Sequence, residues 1–266
     1  MLPEFRRARS RADRGRIHAY GKAHLSTIYL VRHGQAGTRG AYDSLSDLGK
    51  RQARLLGEHF VAQEIHFAAA YCGELLRQRQ TAERIRTAYS DAGGLFPSIA
   101  IDDGWNEFDL ERVFCELAPQ LCAQDADFRR EYEEMLEQVR ISNGAHTAKV
   151  HRKWLPCDTK IVEAWIRGRL PYGGENWKQF CERVLLCRRN IDHRQARENI
   201  LVVTSATPIA IWTGVSLELS DQRVMRLAGS LYNASYTILR LRQQELRLFT
   251  FNAASHLSGR GVRTHR

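Results

Sequence analysis

The chain has 266 residues, 43% of them hydrophobic and 26% charged, with a formal net charge of +10. That composition suits a globular domain with a full core and argues against a disordered chain. No apolar run approaches the ~18–20 residues that cross a bilayer, and the basic N-terminus leads into no apolar stretch, so the sequence predicts neither a membrane protein nor a secretory signal.

In chain order, residues 1–25 read as a basic, solvated extension, rich in Arg6, Arg7, Arg9, Arg11, Arg14 and Arg16. Residues 26–31 (STIYLV) are a short apolar run of β-formers and predict a buried strand. Ser46 is placed to cap a helix whose apolar face carries Leu48, Ala53, Leu55 and Leu56. Residues 66–72 predict a second strand, 74–89 a second helix and 98–102 a third strand. From Glu111 to about Leu170 the chain turns helical and charged, which predicts an insertion over the core. Pro171, Gly173 and Gly174 break the chain before a helix over 175–190, and residues 199–204 (NILVVT) predict a fourth buried strand. Residues 236–241 and 245–251 read as an antiparallel pair turning at Gln243 and Gln244, and residues 258–266 as a basic tail of the same solvated kind. Strands alternating with helices predict an α/β fold in three layers, a mostly parallel sheet covered on both faces.

The six cysteines (Cys72, Cys115, Cys122, Cys157, Cys181 and Cys187) form no C-x-x-C pair and no zinc-like spacing, so reduced thiols and no metal are expected. Cys72 is the one that could be reactive, through its place beside Arg77 and the second strand.

Four candidate groups lie just beyond strand C-termini, where ligands bind in such sheets. Arg32, His33 and Gly34 follow the first strand: a guanidinium suits a tetrahedral oxyanion, and a neutral imidazole can attack phosphorus. Arg77 lies in the first turn of the helix after the second strand, where a helix N-terminus already favours anions. Glu107, after the third strand, could protonate a leaving oxygen if its surroundings raise its pKa. Ser205 follows the fourth strand and could either cap the next helix or bind phosphoryl oxygens. Arg79, Arg84 and Arg86 read as a solvated helix face, and His146 and His151 as surface residues of the insertion.

Together these stretches resemble the histidine phosphatase superfamily, which includes the cofactor-dependent phosphoglycerate mutases. YLVRHGQA resembles its opening signature, and LSDLGKRQARLLG the segment that follows. LLRQRQTAERI is similar to the segment with its second phosphate-binding arginine, WNEFD falls where its acidic residue is found, and GGENWKQFCERV and LFTFNAASHL resemble later segments. The resemblance covers residues 26–257 and implies a phosphoglycerate mutase-like fold. It implies His33 as the phosphorylated nucleophile, Arg32 and Arg77 as phosphate-binding residues, Glu107 as general acid and base, and Gln35 as a substrate contact. It implies no cofactor and no metal. The family's second histidine would stand where this chain has Ser205, and its small glycine-rich segment after the acidic residue is replaced by DLERVF. The resulting expectation is a cytoplasmic phosphatase acting on a small phosphorylated substrate, with activity reduced by the change at Ser205. No nucleic acid or membrane partner is expected, and a homodimer is left open. A non-catalytic phospholigand-binding or scaffold protein and a mutase-like phosphotransferase are the alternatives.

Overall fold

A computed structural model describes residues 25–38, 42–145, 148–152, 154–192, 198–242, 245–259 and 261–265. The N-terminal extension, His146 and the Gln243–Gln244 turn lie outside the described residues.

The first half runs β1 (Leu25–Arg32), α1 (Asp47–Ala62), β2 (Ala69–Cys72), α2 (Leu76–Asp91) and β3 (Ile99–Ile101). Four helices follow: α3 (Leu110–Gln124), α4 (Ala126–Ser142), α5 (Lys149–Arg152) and α6 (Pro156–Arg167). The chain then returns through α7 (Trp177–Leu186), α8 (Arg188–Asp192), β4 (Asn199–Thr204), α9 (Ala206–Ser216), α10 (Asp221–Ser230), β5 (Tyr236–Arg242) and β6 (Glu245–Ala253). The six strands form one sheet in the order β3-β2-β4-β1-β5-β6. β3, β2, β4 and β1 are parallel, and β5 and β6 pair antiparallel at one side.

Strand alternation divides the core between two layers. Ile28 and Leu30 of β1, Ile200 and Val202 of β4 and Leu239 of β5 face a cluster with Phe180, Ile209, Trp212 and Val224 of α7, α9 and α10. Tyr29, Val31, Leu201 and Val203 face the opposite way, against Leu56 and Phe60 of α1 and Ile85 and Tyr89 of α2. Because both faces are covered, the central strands read as continuous apolar runs rather than alternating ones.

Several boundaries differ from the sequence expectation for visible reasons. The helix expected over 175–190 starts only at Trp177, because Asn176 and Gln179 form a reciprocal cap that fixes its N-terminus. Glu175 is left outside it and pairs with Arg183. His151 is buried rather than superficial: its Nε2 lies 2.6 Å from the Ser142 hydroxyl, inside the insertion. Within the C-terminal residues 261–265 the Val262 side chain is buried against Ala254 and Leu257 and Thr264 is half-buried, while Gly261, Arg263 and His265 are exposed. Among the described residues, no helix is long and apolar enough to cross a membrane.

Candidate active site

β1 and β4 are neighbours in register at their C-terminal ends, Arg32 opposite Thr204, so the residues that follow them emerge side by side. The His33 N–H donates to the Thr204 carbonyl at 2.9 Å, and the His33 carbonyl accepts from the Ala234 N–H at 3.1 Å. Ala234 has a left-handed φ of 53°, an uncommon conformation for a residue with a Cβ. His256 Nε2, 2.9 Å from the Ala234 carbonyl, holds that peptide from behind.

The loop after His33 lies hard against α1. A Cβ on Gly34 would stand 2.5 Å from the Gly49 carbonyl oxygen, and one on Gly49 would stand 2.1 Å from the Gln35 oxygen, so glycine is required on both sides. Ser46 caps α1 as expected, accepting from the Gly49 N–H at 3.1 Å.

His33 is 2% exposed. Its Nδ1 is 2.7 Å from the Gly34 carbonyl, an acceptor, so Nδ1 carries the proton and Nε2 keeps its lone pair. Burial, then the charges of Arg77 and Arg32, hold the imidazole well below the ordinary histidine range. It is therefore neutral near pH 7.

Arg32 and Arg77 are both more than nine-tenths buried, and among the described residues the Nε of each has no hydrogen-bond partner. Arg32 donates to the Leu231 carbonyl. Arg77 has Asp43 at 3.6 Å, and its guanidinium lies 5.0 Å from the Tyr42 ring centre. Tyr42 also stands edge-on to His33 at 6.0 Å. Thr81, one turn along α2, links these groups: its hydroxyl accepts from the Gly34 N–H at 3.0 Å and donates to the Arg77 carbonyl at 2.7 Å.

Glu107 is half-buried just beyond a short turn at Asp103–Trp105. Its Oε2 accepts from the Thr207 N–H at 3.1 Å, in the first turn of α9, and Oε1 accepts from Phe108 at 3.3 Å. Burial pushes the carboxyl up, and this outweighs the Thr207 contact, the Arg77 charge and the Phe108 N–H, which all favour the anion. Arg183 braces this loop by donating to the carbonyls of Asp103 (2.9 Å) and Gly104 (3.1 Å) while paired with Glu175 at 2.8 Å. The stack of Phe108 on Trp165 of α6, at 4.5 Å, ties it to the insertion.

Ser205 is 1% exposed and stands at the N-cap position of α9, but its side chain makes no capping hydrogen bond. Its hydroxyl oxygen accepts from Gln78 Nε2 at 2.8 Å, and the same amide nitrogen donates to the Trp105 carbonyl at 3.1 Å. The Gln35 side chain braces α1, taking the Ser46 hydroxyl on Oε1 at 2.8 Å.

His33, Arg32, Arg77, Glu107 and Ser205 are thus brought to one end of the sheet. Gln78, Thr81, Gln52 and Tyr42 belong to the same network and were not singled out by sequence. Arg79, Arg84 and Arg86 are exposed, as expected. In the insertion, Arg129 donates to the Cys122 carbonyl and Arg130 pairs with Asp127, so neither is an idle charge. Burial pushes the Cys72 thiol up to about 11, which makes it unreactive near neutral pH. Among the described residues no disulfide is formed, and no cluster of histidine, cysteine and carboxylate could hold a metal.

The model of the histidine phosphatase superfamily (branch 1) matches residues 28–170 and 158–254. The chain belongs to that superfamily. A relative is the mitochondrial serine/threonine-protein phosphatase Pgam5 of Caenorhabditis elegans, 20% identical over an alignment of 161 residues that covers 56% of this chain and 52% of the relative. The chain thus spans about half the length of that relative. Phosphoglycerate mutase from Bacillus anthracis has a similar fold, with a TM-score of 0.53 at 18% identity over 88% of this chain and 96% of that one. Mycobacterial glucosyl-3-phosphoglycerate phosphatase is similar as well, with a TM-score of 0.51 at 18% identity, covering 86% and 99%. At such identities the likeness establishes the phosphoglycerate mutase-like α/β fold.

Proposed function

We propose that this chain is a phosphatase that hydrolyses a phosphate monoester through a phosphohistidine on His33. The observation that carries the reading is the pair of buried guanidiniums, Arg32 and Arg77, whose Nε–H groups lack partners among the described residues and lie beside a neutral imidazole. Buried donors without acceptors are costly, and a phosphoryl group would supply oxygens to both.

In the proposed reaction His33 Nε2 attacks phosphorus, and the bond to the leaving oxygen breaks. Arg32 and Arg77 neutralise the phosphoryl oxygens, and protonated Glu107 gives its proton to the departing alkoxide. Glu107, now a carboxylate, takes a proton from water as that water attacks the phosphohistidine. Inorganic phosphate leaves and His33 is regenerated. Ser205, in the place of the superfamily's second histidine, would donate a neutral hydrogen bond to a phosphoryl oxygen. Exchanging an imidazolium for a hydroxyl there costs rate, and loss of one transition-state donor is worth roughly 10²–10³.

A second reading, phospholigand binding without turnover, is favoured by Ser205, whose oxygen is already taken by Gln78. The two are separated by incubating the protein and His33→Ala with an aryl phosphate, following released phosphate and acid-labile phosphoprotein. Turnover lost in the variant is the expected result. Turnover equal in both proteins would sink the mechanism, and phosphate-dependent thermal stabilisation without turnover would establish the binder.

A further inference from the structure

We infer that the C-terminal segment, residues 261–265, is a working part of the active centre, with Thr264 a positioning residue for the loop that carries His33. The inference rests on the phosphatase reading in its activity arm alone.

Two fully buried amides, Gln52 of α1 and Asn233 before β5, join this segment to the catalytic loop. Gln52 Nε2 donates to the Val262 carbonyl at 2.6 Å and to the Thr264 hydroxyl at 3.0 Å, while its Oε1 accepts the Gln35 N–H at 2.8 Å. The Asn233 N–H donates to the Thr264 carbonyl at 2.7 Å, and its Oδ1 accepts the Thr264 hydroxyl at 2.8 Å. Asn233 Nδ2 reaches the His33 carbonyl at 3.4 Å. Thr264 therefore touches both amides, one leading to His33 and the other to Gln35. His265 adds a contact on the same side, with its ring 4.3 Å from that of Tyr232, next to Leu231, whose carbonyl accepts from Arg32.

An amide side chain in a dry site has a fixed orientation only while both ends are bonded. Without the Thr264 hydroxyl, Asn233 Oδ1 loses its partner, Gln52 keeps one bond fewer, and the loop they hold loosens. A shift of the order of 1 Å at reacting atoms can cost ~10²-fold in rate. Substrate binding depends more on the two arginines, so kcat should fall more than KM rises.

The test compares wild type, Thr264→Val, Thr264→Ser and a chain ending at Ser258. The readouts are kcat and KM with p-nitrophenyl phosphate, and backbone amide exchange at Gln35, with Val202 in β4 as reference. The expected result is that Thr264→Val lowers kcat roughly tenfold, speeds exchange at Gln35 selectively, and leaves Val202 protected. Thr264→Ser should restore both, and the shortened chain should show the larger effect. Unchanged exchange at Gln35 in Thr264→Val and the shortened chain would overturn the inference, as would equal acceleration at Gln35 and Val202, which marks general destabilisation. A wild type without turnover would count against the phosphatase reading, while the exchange measurements would still decide the role of Thr264.

Discussion

At the residue scale, the charges of the candidate site have opposite tendencies that should appear in the pH profile. His33 is held well below its usual 6.5 and Glu107 is raised above its usual 4.5. The proposed phosphoryl transfer to His33 would need a neutral imidazole and a protonated carboxyl. In the free enzyme, kcat/KM should fall on the acid side only below the ordinary histidine range. On the alkaline side it should fall through the raised pKa of Glu107. Glu107→Gln should abolish the alkaline limb and lower kcat/KM for an alkyl phosphate by about 10²–10⁴. An aryl phosphate, whose leaving group needs little protonation, should suffer far less. An alkaline limb that persists in Glu107→Gln would assign it to another group. Ser205→Ala tests the hydroxyl: if Ser205 reaches the phosphoryl group, kcat/KM drops roughly 10–100-fold, at a stability cost near 1 kcal/mol from the bond lost to Gln78. Wild-type kinetics would leave Ser205 as a partner for Gln78 alone. The placement of His33, Arg32, Arg77, Glu107 and Ser205 at one end of the sheet was legible in sequence because each lies at or just beyond the end of a strand. Gln52 and Gln78 were not: neutral amides leave no charge pattern, and their partners stand 210 and 127 residues away.

At the scale of elements, β1 and β4 were legible because burial on both faces forces an unbroken apolar run. β3 was expected longer than the three residues found, since Asp102 turns its carboxylate back to the Gly104 N–H and ends the strand. The insertion was legible as helices but not as a support for the loop that carries Glu107. That support depends on Phe108, Trp165, Trp177 and Phe180 meeting from separate segments, which no local period encodes. Trp165→Ala should therefore do two things. It should destabilise the fold by about 3–5 kcal/mol, as large aromatic deletions in cores do. It should also lower kcat in the surviving folded protein, because Phe108 adjoins Glu107. Trp165→Phe keeps an aromatic stack but loses the indole donor to the Glu175 carbonyl, 3.1 Å away, and should cost about 1–2 kcal/mol. Urea denaturation gives the first quantity, and kinetics below the transition gives the second. A Trp165→Ala protein with unaltered stability would remove the aromatic cluster from this account.

Across the whole molecule, one electrostatic feature recurs: His33, His59, His256 and His265 all have lowered pKa values, with burial as the leading cause. For a base whose folded pKa is depressed, the unfolded chain takes up the proton first. Stability is then intact above about pH 6.5 and declines as the pH falls toward the folded value. Glu107 works the other way, since its raised pKa weakens the fold as pH rises through it. The four histidines outnumber it, and a chain already at +10 gains further self-repulsion on acidification. His256 offers the clearest share to isolate. Burial, His59 and Arg263 bring it from 6.5 to about 4 against the opposing bond to Ala234, a difference worth at most about 3 kcal/mol. Besides these groups, Tyr236 faces it, with ring centres 6.1 Å apart. In His256→Gln the amide N–H can still donate to the Ala234 carbonyl, so the tie behind His33 is kept while the titration is removed. Urea midpoints between pH 7.5 and 4 should fall steeply in wild type below pH 6.5, and less steeply in His256→Gln. Equal slopes in the two proteins would show that His256 titrates alike in the folded and unfolded chain, and the acid sensitivity would then belong to the remaining histidines around the sheet.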